Sequence, residues 1–410
     1  MAVEGLGRLF ASQIPQSRYA RQPPLGKGAF DLHRCLGWRV RICQPKEGKI
    51  LSAEKVMAGM SGGVDSSVCA ALLLKEGYDV SGVTLRLYDG EDYDAGLTKT
   101  CCSLSDAEDA KAVCIKLGIP HYVFNFKDNF SDCVIENFVS EYMSGRTPNP
   151  CIECNRKIKF AAMLDRAKTL GYDKIATGHY AIVERSENGR YLLKKAADKS
   201  KDQTYVLYCL TQEQLSRTLF PLGELTKAQV REIAAENGFV NAKKPDSQDI
   251  CFVPDGDYAS FIERYTGEAS QKGDFIDVNG NVLGEHKGII RYTVGQRKGL
   301  GIALGKPQFV ISKSAETDAV VLGDEDKLFY KQVLINRTNF IPFDNLEEKM
   351  RVTAKLRYRH TEQPAVIYPA QDGVIVEFDE PQRAPSPGQA AVFYDGDIVV
   401  GGGTIVKGID

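Results

Sequence analysis

Two short stretches carry residue types and spacings that could do chemistry. The first is Gly59-Met60-Ser61-Gly62-Gly63-Val64-Asp65-Ser66-Ser67. Its glycines let the backbone approach a ligand, a helix N-terminus behind them would supply oriented N–H groups, and the serine hydroxyls add donors, so the stretch suits a phosphate. A Walker A loop would need Gly-Lys-Ser/Thr after a longer gap; that lysine is missing, which argues against kinase-type transfer of a γ-phosphate. The second stretch is Thr147-Pro148-Asn149-Pro150-Cys151-Ile152-Glu153-Cys154-Asn155. Two prolines stiffen the approach, and a helix starting behind Cys154 would lower a thiol pKa toward the thiolate. A lone CxxC reads equally as a zinc half-site, a redox pair or two small core residues. No second CxxC and no spaced histidine pair completes a structural zinc site. A further cysteine closes the polar stretch Asp246-Ser247-Gln248-Asp249-Ile250-Cys251, ninety-seven residues after Cys154.

The elements that must position these residues follow from periodicity. Lys55 to Met60 predicts a buried strand, Ser61 to Ser67 a Gly-rich turn, Ser66 to Glu76 a helix and Val80 to Leu87 a second strand. Helices are expected over Ser105 to Leu117, Asp128 to Ser144 and Ile158 to Leu170, with strands at His121 to Phe126 and Lys174 to Thr177. This alternation implies an α/β, doubly wound parallel sheet over residues 51–209. Residues 210–272 read as a small helical middle domain with helices at Thr211 to Leu219, Thr226 to Asn237 and Asp257 to Tyr265. From Gly273 to the end, short strand-like runs such as Gly288 to Val294 and Met350 to Tyr358, punctuated by Asn-Gly and Asp-Gly turns, predict a C-terminal β-barrel over 273–410.

Length and composition bound the function. A chain of 410 residues allows two or three domains, and its 43% hydrophobic and 26% charged content is that of a globular protein. No uncharged apolar run approaches the ~18 residues of a membrane span. The net charge of −2 advertises no global polyanion field, so a nucleic-acid partner would need a local patch. Arg351, Lys355, Arg357 and Arg359 alternate with Tyr358 among them and would present one such face on a strand. Eleven cysteines are too dilute for a disulfide scaffold and point to a reducing, cytoplasmic setting. Of these, Cys69, Cys114 and Cys209 read as core packing and Cys101-Cys102 as surface or packing thiols. Residues 1–50, with ten Lys/Arg against four Asp/Glu up to Lys55 and no clear period, read as an unstructured extension or an over-extended start.

Taken together, the SGGxDS turn and the proline-rich cysteine stretch with its distant partner resemble the tRNA-specific 2-thiouridylases (the MnmA/TrmU family), whose turn is the PP-loop of ATP pyrophosphatases. The likeness runs from about Lys55 to Lys407. It includes Ala176-Thr177-Gly178-His179-Tyr180, Lys201-Asp202-Gln203-Thr204-Tyr205, Gly295-Gln296-Arg297-Lys298-Gly299-Leu300-Gly301, Arg357-Tyr358-Arg359 and Ser386-Pro387-Gly388-Gln389. The resemblance implies that ATP, with Mg2+, adenylates O2 of the wobble uridine in tRNA and that a cysteine persulfide displaces AMP. It implies an ATP site from Gly59, Met60, Ser61, Gly62, Gly63, Val64, Asp65 and Ser66, with Leu85 and Gly178 on the adenine side. Cys154 matches the family nucleophile and Cys251 the cysteine that receives sulfur from a donor protein of a cysteine desulfurase relay; the two could also form a resting disulfide. Asn149, Pro150 and Cys151 match the target-base contact, and His179, Lys201, Asp202, Gln203, Arg357, Tyr358 and Gln389 the tRNA contacts.

One departure matters. Many members carry aspartate where this chain has Cys151. Cys151, Cys154 and Cys251 would then be candidate ligands of a [4Fe-4S] cluster, an alternative route to the same thiolation. A PP-loop amide synthetase, in which ammonia attacks the adenylate, is a rival that leaves both cysteine stretches unexplained. A tRNA-binding module without activity explains neither loop.

Overall fold

The computed structural model describes residues 53–88, 104–246 and 250–409. The N-terminal stretch 1–50, Cys101-Cys102 and residues 247–249 lie outside the described residues.

Strand β1 (Lys55–Gly59) buries Val56, Met57 and Ala58 completely, as a central strand covered on both faces must. It pairs in parallel with β2 (Asp79–Arg86) on one side and β4 (Lys174–Ala176) on the other. Strand β3 (His121–Asn125) lies outside β2, and the two-residue β7 (Thr218–Leu219) outside β4, giving the order β3-β2-β1-β4-β7. Successive connections from β1 therefore depart in opposite directions, which opens a crevice at the carboxyl ends of β1 and β4. The Gly-rich turn follows β1 into the helix Val64–Lys75, and Gly178 follows β4, so both open on that crevice.

The parallel unit reaches further along the chain than position 209. Strand β7 extends its sheet, and Val230, Ala234 and Phe239 pack in one core with Val56, Val68 and Leu73. The helix Lys227–Glu236 thus belongs to the first unit rather than to a separate helical one.

The strands after Gly273 divide between two sheets, which corrects the expectation of one barrel over 273–410. Strands β8 (Gly273–Asp277), β9 (Val282–His286), β10 (Phe309–Ser314) and β11 (Ala319–Gly323) form a four-stranded sheet in the order β10-β11-β8-β9. Phe275, Val310, Val320 and Leu322 pack there against Phe261 and Ile262 of the helix Tyr258–Thr266, so the middle unit carries a sheet beside its helix. The stretch Gly288 to Val294 is no strand; Ile289–Arg291 form a 3-10 turn, entered at Gly288, whose N–H donates to His286 Nδ1 at 3.0 Å.

The six strands β12 (Phe329–Phe340), β13 (Met350–Lys355), β14 (Gln363–Ala370), β15 (Gly373–Arg383), β16 (Ala390–Asp395) and β17 (Ile398–Ile409) run β12-β15-β14-β13-β16-β17. Strand β17 also pairs with β12, so the barrel closes and leaves no edge of its own among these six. A hairpin from the first unit, β5 (Ala181–Arg185) and β6 (Tyr191–Lys195), adds to it where Lys194 pairs with Ile398.

Candidate active site

The Gly-rich turn is built by its own side chains. The Ser61 N–H donates to Ser66 Oγ at 3.2 Å, while Ser66 Oγ and Ser67 Oγ each donate to the Gly63 carbonyl at 3.0 Å. Upstream, the Met60 carbonyl accepts from Thr84 Oγ1 at 2.8 Å, which fixes the exit of β1. Gly62 has φ +72°, and a Cβ there would overlap the Asp106 carbonyl, so only glycine fits without strain. The turn is also held from behind: Asn241 Nδ2 donates to the Gly62 carbonyl and to Ser67 Oγ, both at 2.9 Å, and Lys244 bridges Gly62 to Asp106 and Asp109. Gly178 packs against the same helix start, where a Cβ would sit 2.7 Å from the Asp65 carbonyl carbon and 2.8 Å from Ser66 N. Gly59 closes β1, and Leu85 on β2 packs partly buried between two core clusters. The result is a rigid cradle at a helix N-terminus, matched to the phosphates of a nucleotide. Asp65 stands beside it as a hard oxygen donor of the kind that accepts Mg2+.

Asp65 does not stand free. Lys227 Nζ lies 2.7 and 2.8 Å from its two carboxylate oxygens, and the Tyr180 hydroxyl donates to it at 2.9 Å. Burial first, then the charge of Asp65, raises the Tyr180 phenol, so it stays protonated as that donor.

The cysteine helix starts earlier than periodicity predicts. Asn149 caps it, its side chain accepting from the Cys151 N–H at 3.1 Å, and Pro150 occupies the first helical position. Cys151 and Cys154 are therefore inside the helical run 150–169 rather than ahead of it. Cys154 opens a π-helical stretch, Cys154–Ala162, a distortion frequent at functional sites. Cys151 is exposed on the first turn. Cys154 is 7% exposed and lies in the apolar cluster of Phe138, Phe252 and Phe261, against which Cys251 also packs, half-buried. The Tyr88 hydroxyl donates to the Cys251 carbonyl at 2.5 Å and ties that segment to the end of β2.

Three segments meet at the mouth of this helix. Gln389 Nε2, from the barrel, donates to the Thr147 carbonyl at 2.9 Å, and the Thr147 N–H donates to the Pro387 carbonyl at 2.8 Å. The Tyr358 hydroxyl donates to the Asp202 carbonyl at 3.3 Å, and burial, then the charges of Asp202 and Cys151, push its phenol up. Cys151, Tyr358 and Asp202 are thus neighbours. The Asp202 carboxylate is taken by Ala196 N–H and Thr204 Oγ1, and Gln203 Oε1 accepts from the Tyr180 N–H. His179 packs between Phe160 and Phe220, with Nδ1 2.8 Å from Thr177 Oγ1; burial, then the charge of Lys159, holds its pKa well below 6.5, so it is neutral at pH 7.

Known proteins are similar to this chain over most of its length. Residues 54–255 match the tRNA methyl transferase HUP domain, 259–324 the tRNA methyl transferase PRC-barrel domain and 330–405 an aminomethyltransferase beta-barrel domain. The tRNA-specific 2-thiouridylase MnmA of Acetivibrio thermocellus is 57% identical over 87% of this chain and 100% of its own length. That of Lachnoclostridium phytofermentans is 54% identical over 86% of this chain and 100% of its own, and that of Clostridioides difficile 52% over 87% and 99%. The chain belongs to the tRNA-specific 2-thiouridylase family. Its parallel-sheet PP-loop unit, middle unit and closed barrel are the architecture that the resemblance implies.

Of the three thiols expected as cluster ligands, Cys151 is exposed and Cys154 is buried among aromatic rings, and among the described residues no three of His, Cys, Asp or Glu form a group that could hold a metal ion. The basic strand also breaks: β13 ends at Lys355, Arg351 is paired with Asp379, and Arg357 turns inward to donate to the carbonyls of Val294 and Ala384 and to Ser386 Oγ, at 3.3, 2.9 and 2.9 Å. Three capping bonds hold that guanidinium off the ladder.

Sequence reasoning misses Lys227, Tyr180, Asn241 and Lys244, all of which bear on the turn. One signal is present for Lys227: it directly follows the cap Thr226 of a Thr-Lys-Ala-Gln capping box, and a cation at a helix N-terminus opposes the helix dipole unless an anion meets it. The thiols expected in the core are there: Cys69, Cys114 and Cys209 are buried, and burial pushes Cys114 and Cys209 up to about 11.

Proposed function

We propose that this chain thiolates the wobble uridine of tRNA at C2, an ATP-dependent sulfurtransferase activity. Uracil O2 attacks the α-phosphorus of ATP, pyrophosphate leaves, and an O-adenylated uridine results, in which AMP is now a good leaving group. The terminal sulfur of a persulfide on Cys251 adds to C2, and AMP departs with the former O2. The Cys154 thiolate then attacks the Cys251 sulfur, releasing the sulfur at C2 as 2-thiouridine and leaving a Cys154–Cys251 disulfide. A dithiol reductant returns the two electrons, and a persulfide-bearing donor protein reloads Cys251.

Gly59 to Ser66 hold the nucleotide phosphates, with Asp65 taking the Mg2+ that accompanies ATP, and Leu85 and Gly178 face the adenine side. Asn149, Pro150 and Cys151 contact the target base, the exposed Cys151 standing where many members place an acid. Lys201, Asp202, Gln203, His179, Arg357, Tyr358 and Gln389 form or position the tRNA surface around it. The setting is the cytoplasm, where thiols stay reduced; among the described residues no helix is long and apolar enough to cross a membrane.

The observation that carries this reading is that Cys154 and Cys251, far apart in sequence, pack on one apolar cluster, while the phosphate cradle stands at the switch point of the adjoining sheet. The test is nucleoside mass spectrometry on unmodified tRNA incubated with the protein, Mg-ATP and a persulfide donor. The reading predicts 2-thiouridine at the wobble position with one AMP released for each; thiolation without ATP, or AMP without any tRNA dependence, would contradict it.

A further inference from the structure

We propose that Arg357 is a positioning residue for the thiolation: it holds the barrel turn 384–389 in the conformation that fixes where the cysteine helix begins. Its effect on turnover rests on the sulfur-transfer reading above, whereas the contact itself does not.

The hydrogen bonds from Arg357 to the cysteine stretch are continuous. Arg357 follows the end of β13 by two residues and is half-buried. Its Nη2 donates to the Ala384 carbonyl and to Ser386 Oγ, both at 2.9 Å, and to the Val294 carbonyl at 3.3 Å. The buried Ser386 Oγ in turn donates to the Ala384 carbonyl at 3.2 Å, and the Ser386 carbonyl accepts the Gln389 N–H at 3.1 Å, which closes a four-residue turn. That turn grips Thr147 from both sides: the Pro387 carbonyl accepts its N–H at 2.8 Å, and Gln389 Nε2 donates to its carbonyl at 2.9 Å. Two residues further on, Asn149 caps the helix that carries Cys151.

The backbone of the turn needs such a hold. Ala384 is fully buried with φ +53°, a left-handed conformation that a residue with a Cβ keeps only where its surroundings dictate it. Its carbonyl is where Arg357 and Ser386 Oγ meet, and its N–H donates to the Leu328 carbonyl at 2.7 Å. Gly388, at φ +90°, lies so close to the cysteine stretch that a Cβ there would stand 3.0 Å from Thr147 N and 3.1 Å from Arg146 Cβ. A small rotation of the turn therefore either displaces residues 146–148 or breaks both bonds to Thr147. Strand β17 anchors the far end, the Gly388 N–H donating to the Ile405 carbonyl at 2.9 Å and the Ile405 N–H to the Gln389 carbonyl at 2.8 Å. Arg357 anchors the near end, and its charge makes those bonds stronger than a neutral donor would.

The test reads a backbone amide rather than turnover. Hydrogen exchange in the full-length chain is followed by mass spectrometry with fragmentation that isolates Thr147, a separation eased by Pro148, which carries no N–H. In Arg357→Met, at a temperature where thermal unfolding shows it folded, the Thr147 amide should exchange about two- to tenfold faster, the range spanned by the net loss of one hydrogen bond. The amide of Met57 in β1 should keep its rate. Arg357→Lys, which restores a charged donor, should recover part of the protection. At saturating tRNA the single-turnover thiolation rate of Arg357→Met should fall, and the double variant with Gln389→Ala should be no slower than the slower single, because both act through Thr147. An unchanged Thr147 amide in Arg357→Met overturns the proposal, and a flatter salt slope of tRNA binding beside it would make Arg357 an RNA contact instead. A double variant slowed by the product of the two single effects overturns it as well. If Arg357→Met does not fold, Ser386→Ala decides the matter, since it removes the acceptor between Arg357 and the turn and must quicken the Thr147 amide likewise. Absence of 2-thiouridine from the unmodified chain would remove the sulfur-transfer reading, and the Thr147 amide would still decide whether Arg357 holds the turn.

Discussion

Gln389 Nε2 donates to the Thr147 carbonyl at 2.9 Å across 242 residues of sequence, so the barrel holds the entry to the cysteine helix directly. That hydrogen bond makes the barrel part of the site. Gln389→Ala leaves the Thr147 carbonyl without this donor at a loss of about 1 kcal/mol. The expected result is retained ATP binding by equilibrium dialysis and a thiolation rate reduced about tenfold, since misplacing a reacting group by ~1 Å can cost that much or more.

Gly62→Ala should be severe at a single methyl group. The substitution places a β-carbon at φ +72° and against the Asp106 carbonyl, a combined cost of about 1–3 kcal/mol. Thermal unfolding should show a lowered Tm, and tRNA-dependent AMP release should fall further than that loss of stability explains, because the turn itself must move.

Arg357 and its basic neighbours should separate cleanly. Arg357→Ala leaves the Val294 carbonyl and Ser386 Oγ without this donor and the Ala384 carbonyl with Ser386 Oγ alone, at 3.2 Å, and should lower the Tm, at about 1–3 kcal/mol. Lys355→Ala with Arg359→Ala should leave the Tm within a degree or so but flatten the salt dependence of tRNA binding, by about one counterion for each phosphate no longer neutralised. Gel-shift titrations across a salt series measure the slope.

Much of this is legible in the chain, and the misses have physical causes. The turn Gly59 to Ser67 announces itself because a strand, glycines and a helix start must all coincide for a phosphate cradle to exist. Periodicity starts the cysteine helix too late because it treats the prolines only as stiffeners, whereas Asn149 followed by Pro150 is a cap and a first helical position. The barrel boundary falls in the wrong place because strands carry no label for the sheet they join: β8 to β11 alternate much as β12 to β17 do, and only long-range pairing separates them. The inward turn of Arg357 depends on carbonyls at 294 and 384, which no local pattern reports.

Acid should weaken the fold before it touches any carboxylate. His286 bridges the Asp318 carbonyl through Nε2 at 2.9 Å and accepts the Gly288 N–H at Nδ1, an arrangement open only to the neutral ring. Burial lowers its pKa below the ordinary 6.5 against the raising effect of Asp318, Asp274 and Glu285, and burial lowers His179 further. A folded imidazole that resists protonation gives stability that is complete above 6.5 and is lost as pH falls toward its folded pKa. The Tm should therefore drop between about pH 7 and about pH 5, and drop less in His286→Gln; an unchanged Tm over that range would refute the assignment.

In the proposed reaction Cys251 delivers its terminal sulfur to C2 of the adenylated uridine, and Cys154 then frees the product by attacking the Cys251 sulfur. The decisive measurement is the fate of tRNA in Cys154→Ser, followed by mass spectrometry of the intact tRNA and its nucleosides with Mg-ATP and a persulfide donor. The account predicts pyrophosphate release and adenylated or enzyme-linked tRNA with no free 2-thiouridine. Formation of 2-thiouridine by Cys154→Ser at the unmodified rate would contradict it.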